Sequence, residues 1–430
     1  HTVVDIVCDD KAFLVSSITN ALIHLGHTVH ITTHPVVAVE RDKKGNITSI
    51  SPFTGKAENA NLEAVMRFEI DQQNEPSVVT QIITTLTQII SDVRLVVDDW
   101  VPMRSKLVSI IDTLESQNLP IAPQDLEENI AFLRWVSNNH FTFIGYRSYG
   151  LKKDPITGLC ELKPKKGTGL GSFRDDNCTP DSLLPSTLSL QHSELAMRSD
   201  MLVMTKSTSR STVHRPVNFD YLGLKRFDEQ GNVIGEERFF GLYSSAAYTA
   251  RIDEIPLLRR KAQDLRDRIE QLPNSHKGKA LQHILNSYPR DEMLQASVDE
   301  LYPIIRGILQ TQERHHLRLF LRLDTFGRFA TALVYVPRER FNTALRIKMQ
   351  NILMSEFDGT SVEFNVMFSE QPLARVQLTV HGHDIHNTDF DINDIEQQMR
   401  DAMLSWSDHL HHALNSKQGE AKGNQLFKQY

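Results

Sequence analysis

SRSTVHRPVNFDYLGLKRFDEQGNVIGEERFFGLYSSAAY, Ser209 to Tyr248, reads as one long β-hairpin. Val217, Phe219 and Tyr221 alternate along its first arm, and Phe239 and Tyr243 stand two alternation steps apart on the second, the period of half-buried strands. Asp228-Glu229-Gln230-Gly231-Asn232 supplies the closure. An aspartate there bonds its own following backbone, and a glycine three residues on is free to take positive φ, which suits a turn running into a bulged hairpin. Just ahead, Lys206, Arg210, His214 and Arg215 crowd into a segment rich in Ser and Thr. That cluster is a candidate receptor for a carboxylate or phosphate; a contact between domains is the competing reading.

Outward from the hairpin, composition narrows the classes. The 430 residues are enough for two to four domains. Lys and Arg number 47 against 54 Asp and Glu, a net charge of −7 without a block of like sign, which argues against nucleic acid as the main partner, since neutralising phosphates needs a basic face. Cys8, Cys160 and Cys178 are odd in number and too few for a disulfide framework, which suits a reducing, cytoplasmic setting. The absence of a long apolar run argues against a membrane span, and HTVVDIV enters a strand without the regions of a signal peptide. A chain beginning at His1 rather than Met reads as a trimmed product.

At the start, Thr2 to Cys8 is a β-branched strand, and Asp9-Asp10 offers a cap to the helix that follows. Leu14, Ile18, Ala21, Leu22 and Leu25 make one apolar stripe, Gly26 ends it, and a single long strand is predicted from His27 to Glu40. Asp42-Lys43-Lys44-Gly45-Asn46 repeats the turn chemistry of Asp228 to Asn232. A strand over Glu63 to Ile70 and a helix from Ser77 complete a β-α-β-β-β-α order. Val93 to Trp100 is either the last strand of the pattern or a continuation of the helix.

The middle region predicts a helix over Leu126 to Asn138, a strand from Phe141, the hairpin and the charged helix Pro256 to Leu272. Helices follow over Asn274 to Gln312. A second hairpin, Leu317 to Leu323 and Phe329 to Val336, leads into a helix from Arg338, strands Ser361 to Phe368 and Leu373 to Val380, and a helix Ile392 to Leu414. From Phe329 the β-α-β-β-α order returns. Ser416 to Tyr430 is expected to be a frayed or linking tail.

The motifs FTFIGYRSYG (Phe141 to Gly150), GTGLGSFR (Gly167 to Arg174), IPLLRRK (Ile255 to Lys261), SHKGKAL (Ser275 to Leu281), YPRDEM (Tyr288 to Met293) and LRLDTFGRFATALVYVPRERFNT (Leu321 to Thr343) resemble the amino-terminal regulatory region of the large bacterial NAD-specific glutamate dehydrogenases. The repeated order is similar to the ACT domain, a small β-α-β-β-α-β module. The resemblance implies an α+β fold of tandem ACT-like modules with helical connectors: a first module over 1–100, a connector over 101–125, a middle, elaborated ACT-like domain over 126–272, a helical linker over 273–316, a third module over 317–415 and the tail over 416–430. It also implies a regulatory fragment that binds an amino acid of the glutamate, glutamine, aspartate or arginine class and helps assemble a homo-oligomer. The dehydrogenase domain, which interconverts glutamate with 2-oxoglutarate and ammonia, would follow beyond Tyr430, and NAD would bind there. The alternatives are a free-standing amino-acid sensor and a purely structural oligomerisation module.

In ACT modules the ligand sits where the first strand meets the first helix, with the helix-start N–H groups meeting its carboxylate. Here that junction is Asp9, Asp10, Lys11, Ala12 and Phe13, with Ser16 and Ser17 one turn on. The carboxylates suit an ammonium, and Lys11 with the helix start suits a carboxylate. Its counterpart near the end is Pro337, Arg338 and Phe341, which with Lys206, Arg210, His214 and Arg215 forms the candidate second effector or anion site. No catalytic residue is assigned. Gly167-Thr168-Gly169-Leu170-Gly171 has GxGxG spacing and opens no helix after a strand, so it reads as a loop and not a dinucleotide fingerprint. His381, His383 and His386 lack a Cys or spaced His partner for zinc and read as a polar loop. Ser211 with His214 lacks a third orienting group.

Overall fold

Three antiparallel sheets and the helices laid on them carry the chain in a computed structural model that describes residues 1–53, 61–117, 119–175, 188–311, 316–368 and 372–429. The chain divides into two compact units, His1–Arg260 with Pro289–Gln295, and Lys261–Tyr288 with Ala296–Tyr430.

The first unit begins with β1 (Thr2–Asp9), α1 (Leu14–His24), β2 (Val29–Thr33), β3 (Val36–Arg41), β4 (Ile47–Pro52), β5 (Asn61–Ile70) and α2 (Pro76–Asp98). Its sheet runs β1-β5-β3-β4, with β2 also on β5. β1 and β5 pair from Thr2 opposite Ile70 to Asp9 opposite Glu63. Period-two alternation turns Val4, Ile6 and Cys8 inward with Ala64, Met66, Phe68 and Ile70, and leaves Val3 and Val7 exposed. Leu14, Ile18 and Leu22 of α1 and Ile82, Leu86, Ile89, Val93 and Val96 of α2 cover the inner face at helical spacing. The single strand predicted over His27 to Glu40 is two strands instead, parted at His34-Pro35, because proline lacks a ladder N–H and restricts the residue before it. α2 continues to Asp98 and α3 (Trp100–Ser116) starts at once, which decides the Val93 to Trp100 alternative for helix. Among the described residues, no strand lies on the far side of β1.

After α4 (Pro123–Trp135) come β6 (Phe141–Lys153), β7 (Cys160–Pro164), β8 (Leu170–Gly171), α5 (Leu190–Met197), β9 (Leu202–Arg210), β10 (Asn218–Phe227), β11 (Val233–Tyr243) and α6 (Ser245–Thr249). The sheet order is β7-β6-β11-β10-β9, with β8 on β6, so β9, β10 and β11 form a meander without intervening helices. That order departs from the second ACT-like unit expected here. The β10–β11 turn closes as the sequence predicts: Asp228 N donates to Asn232 O at 3.0 Å, Gly231 takes φ 83°, and the register slips between Arg226 and Phe227. Asp42 N donates to Asn46 O at 2.9 Å in the matching turn.

The expectation of half-buried hairpin strands is corrected, since nearly every residue of β10 and β11 is buried. Phe219, Tyr221, Phe240 and Leu242 join the same apolar cluster as Leu14, Ile18, Ile82 and Val93. The α1–α2 layer is therefore shared by two sheets, one on each side. Charges enclosed with the middle sheet are internally matched, as burial requires. The Arg238 guanidinium lies 4.1 Å from the Tyr149 ring centroid and 5.5 Å from that of Tyr221, and it donates to Glu236 at 3.0 and 3.1 Å.

Next along the chain are α7 (Leu258–Ile269), α8 (His276–Ser287), α9 (Arg290–Gln295) and α10 (Val298–Thr311); α9 belongs to the first unit. The second unit then holds β12 (Arg318–Leu323), β13 (Phe329–Pro337), α11 (Thr343–Glu356), β14 (Ser361–Met367), β15 (Leu373–His381) and α12 (Ile392–Met403). The strand order is β12-β13-β15-β14, with Leu345, Met349 and Leu353 of α11 and Ile395 and Met399 of α12 over the buried face. The helix expected over Ile392 to Leu414 breaks at Leu404. Ser405 accepts from Asp408 N and Asp408 reaches back to Ser405 N, a capping box that starts α13 (Trp406–Gln418). The expected frayed tail also contains α14 (Glu420–Phe427).

Candidate functional site

The junction between β1 and α1 is built from a sharp backbone reversal. Phe13 takes φ 72° as the N-cap of α1, and its side chain offers no cap bond to the helix. The Ser16 and Ser17 hydroxyls instead donate to Phe13 O at 3.1 and 2.7 Å. Lys11 Nζ donates to Asp98 Oδ1 of α2 at 2.9 Å, Arg94 of α2 stands 3.5 Å from Asp9 Oδ2, and His34 Nε2 stands 3.7 Å from Asp10 Oδ1. Ala12 is exposed between them. The charged groups read from sequence as ligand partners thus already have partners on α2 and beside β3.

His214 reaches the same junction. Its backbone N–H donates to Ser17 Oγ at 2.8 Å, its carbonyl accepts from Asn20 Nδ2 at 2.9 Å, and its ring centroid lies 4.8 Å from that of Phe13. His214 itself has φ 70°, so two left-handed residues meet face to face. Val213 is fully buried in the shared cluster, and Thr212 Oγ1 donates to Asp92 Oδ2 of α2 at 2.8 Å. Burial and then the charge of Arg215 hold the His214 imidazole below its usual pKa. Sequence reading missed Asn20, although Ser16 and Asn20 are separated by one helical turn and show the same polar face.

The basic cluster ahead of the hairpin does not converge on one point. Lys206 Nζ donates to Asp220 Oδ1 at 2.6 Å and stands 3.5 Å from Asp291 Oδ2. Burial works against that ammonium, but the two carboxylates hold its pKa well above the ordinary lysine range. Arg215 donates to Tyr243 O at 2.6 Å, and Arg210 is exposed at the end of β9. Arg338 and Phe341 belong to the second unit, where the Arg338 guanidinium lies 5.7 Å from the Phe368 ring centroid and the Phe341 ring 5.8 Å from it. There Asn342 caps α11 by accepting from Leu345 N at 2.9 Å. Arg338 is exposed, while Pro337 is buried at the end of β13.

The glycine-rich segment has a steric role. A Cβ at Gly169 would lie 1.7 Å from Phe173 O, and one at Gly171, with φ 60°, would lie 2.2 Å from Ile144 O. The tight fold brings the carbonyls of Phe173 and Asp175 to accept from the fully buried Arg147 at 2.6 and 2.7 Å. Asp99, between α2 and α3, accepts from Gly171 N at 2.7 Å and from Arg174 Nε at 2.9 Å. His381 is buried at the end of β15 beside Phe329, and His383 and His386 lie in the following loop. Among the described residues, no three His, Cys, Asp or Glu side chains gather as a metal centre. No helix in the described residues is long and apolar enough to cross a membrane.

The family models for the glutamate dehydrogenase ACT1 domain, helical motif 1 and ACT2 domain match residues 1–86, 255–314 and 318–407 respectively. The chain is 34% identical over 432 residues to the NAD-specific glutamate dehydrogenase of Halomonas elongata, an alignment covering 100% of the chain and 27% of that protein. The Pseudomonas aeruginosa protein of that name is 31% identical over 431 residues, covering 100% of the chain and 26% of the relative. The Mycobacterium tuberculosis protein is 26% identical over 379 residues, covering 87% and 22%. The chain therefore spans about a quarter of the length of the curated relatives it matches.

Proposed function

Because this chain belongs to the glutamate dehydrogenase family, we propose that it is the regulatory part of an NAD-dependent enzyme, sensing an amino acid and helping to assemble a homo-oligomer. The carrying observation is the combination of two ACT domain matches, at residues 1–86 and 318–407, with an alignment running the length of the chain. On this reading the parent interconverts glutamate with 2-oxoglutarate and ammonia in the cytoplasm. Nicotinamide binding and hydride transfer belong to the remainder of the relatives' length, and this chain's partner is that dehydrogenase domain. The effector is a free amino acid of the glutamate, glutamine, aspartate or arginine class, met at the start of α1.

The pairing of Lys11 with Asp98 and the seating of His214 on Ser17 favour a second reading, in which the module is purely a scaffold. Titration calorimetry of the chain with each of the four amino acids separates the two. Heat with one of them supports sensing. Silence with all four, together with oligomers in analytical ultracentrifugation, leaves the scaffold.

A further inference from the structure

We infer that the segment Ser211–Pro216 is a built-in occupant of the β1–α1 junction, a latch that an incoming amino acid must displace; this rests on the sensing role proposed above. Three contacts of different kinds hold the latch at one residue. The His214 N–H uses the Ser17 hydroxyl as acceptor, its carbonyl takes the Asn20 amide, and its ring lies against Phe13. The contested group is the Ser17 hydroxyl: the His214 N–H holds as donor the acceptor that an incoming amino acid's ammonium would otherwise reach. The segment is anchored at both sides of this contact, by Val213 in the apolar cluster and by Arg215 on Tyr243 O. Within it, Ser211 Oγ donates to Val213 O at 2.7 Å, so the turn carrying His214 is organised by its own bonds. The left-handed backbone at Phe13 and at His214 is retained where surrounding contacts enforce it.

If latch and ligand exclude each other, the latched fraction lowers apparent affinity, and weakening the latch raises it. Asn20→Ala removes one of the two hydrogen bonds without touching the residues read as ligand partners, and His214→Gly removes the ring while keeping the positive φ accessible. The test uses the whole chain, with hydrogen exchange of residues 211–216 and calorimetry with glutamate, glutamine, aspartate and arginine. Loss of one hydrogen bond predicts exchange about fivefold to tenfold faster in this segment for Asn20→Ala, with melting otherwise intact. Amino-acid affinity should rise by a similar factor in both variants, and adding the ligand to the wild-type chain should itself speed exchange at 211–216. Unchanged exchange in both variants overturns the latch. Binding that weakens or stays constant while exchange accelerates overturns the competition but leaves sensing in place. Silence with every amino acid in all three proteins defeats sensing and the latch together.

Discussion

The first and last modules both run strand, helix, antiparallel strands, helix, with four strands between the helices in the first (β2 to β5) and two in the last (β14 and β15), and they finish their sheets differently. In the last, β12 precedes the repeat and lies beside β13, from Arg318 opposite Tyr335 to Leu323 opposite Ala330. In the first, the equivalent flank of β1 carries no strand among the described residues, because the chain after α2 passes directly into α3. The helix starts differ as well. Asn342 caps α11 from within its own module, whereas the Phe13 side chain gives α1 no cap and residues from 211–216 approach instead. The difference teaches that one fold can be completed locally or by distant chain, and that the second solution ties a module to its surroundings.

The strongest test of that contrast is Phe240→Ala. Phe240 is 1% exposed on β11 yet shares a core with α1 and α2. A cost of about 3–5 kcal/mol is expected, with hydrogen-exchange protection falling in β1 and β5 as well as β11 while β13 and β15 keep theirs. Retained protection in β1 and β5 would break the shared-core account.

A smaller effect is expected at Asp99, which ties the α2–α3 junction to Gly171 and Arg174. Asp99→Ala should cost about 2–3 kcal/mol in urea unfolding, since it strands Gly171 N and Arg174. Burial acts to raise the Asp99 carboxyl, but Arg174 and the Gly171 N–H outweigh it and hold the pKa below the ordinary aspartate range. A folded pKa below the unfolded one gives stability that is present above the unfolded value and lost as pH falls through the folded value. The wild-type advantage over Asp99→Ala should therefore shrink below about pH 4 and be flat above it.

In the last module, Glu396 accepts from Leu319 N at 2.8 Å and so ties β12 to α12. Glu396→Ala should cost about 1–3 kcal/mol and speed exchange at Leu319 first. On β1, Asp5 pairs with Arg67 across the β1–β5 ladder at 2.7 Å, and the pair is exposed. Asp5→Ala should change the urea midpoint little, and a larger loss than for Glu396→Ala would reverse the expected ranking of the buried and the exposed carboxylate.

What could be read ahead of the structure was what neighbouring residues decide among themselves. The turn at Asp228 to Asn232, the stripe Leu14, Ile18 and Leu22, and the returning order from Phe329 all rest on contacts within a few residues or on simple periodicity. The two-sided burial of β10 and β11 was not legible, because the layer that covers Tyr221 and Phe240 comes from residues 14–22 and 82–96. Nor was the meeting of Ser17 with His214, which are 197 residues apart. Two misses were within reach. Pro35 was a sufficient reason to split the strand from His27, and Ser405 with Asp408 three residues later is a helix start visible by eye.

The close approach at Gly169 sets a limit on how this protein can vary. With a carbonyl 1.7 Å from where a methyl group would sit, even alanine must open the turn that closes over Arg147, and a guanidinium that is 1% exposed would lose the carbonyls neutralising its polarity. In a saturation library selected for folded protein, position 169 should therefore be a fixed point, as should 171: the smallest residues of the motif guard the largest fully buried side chain in the described chain.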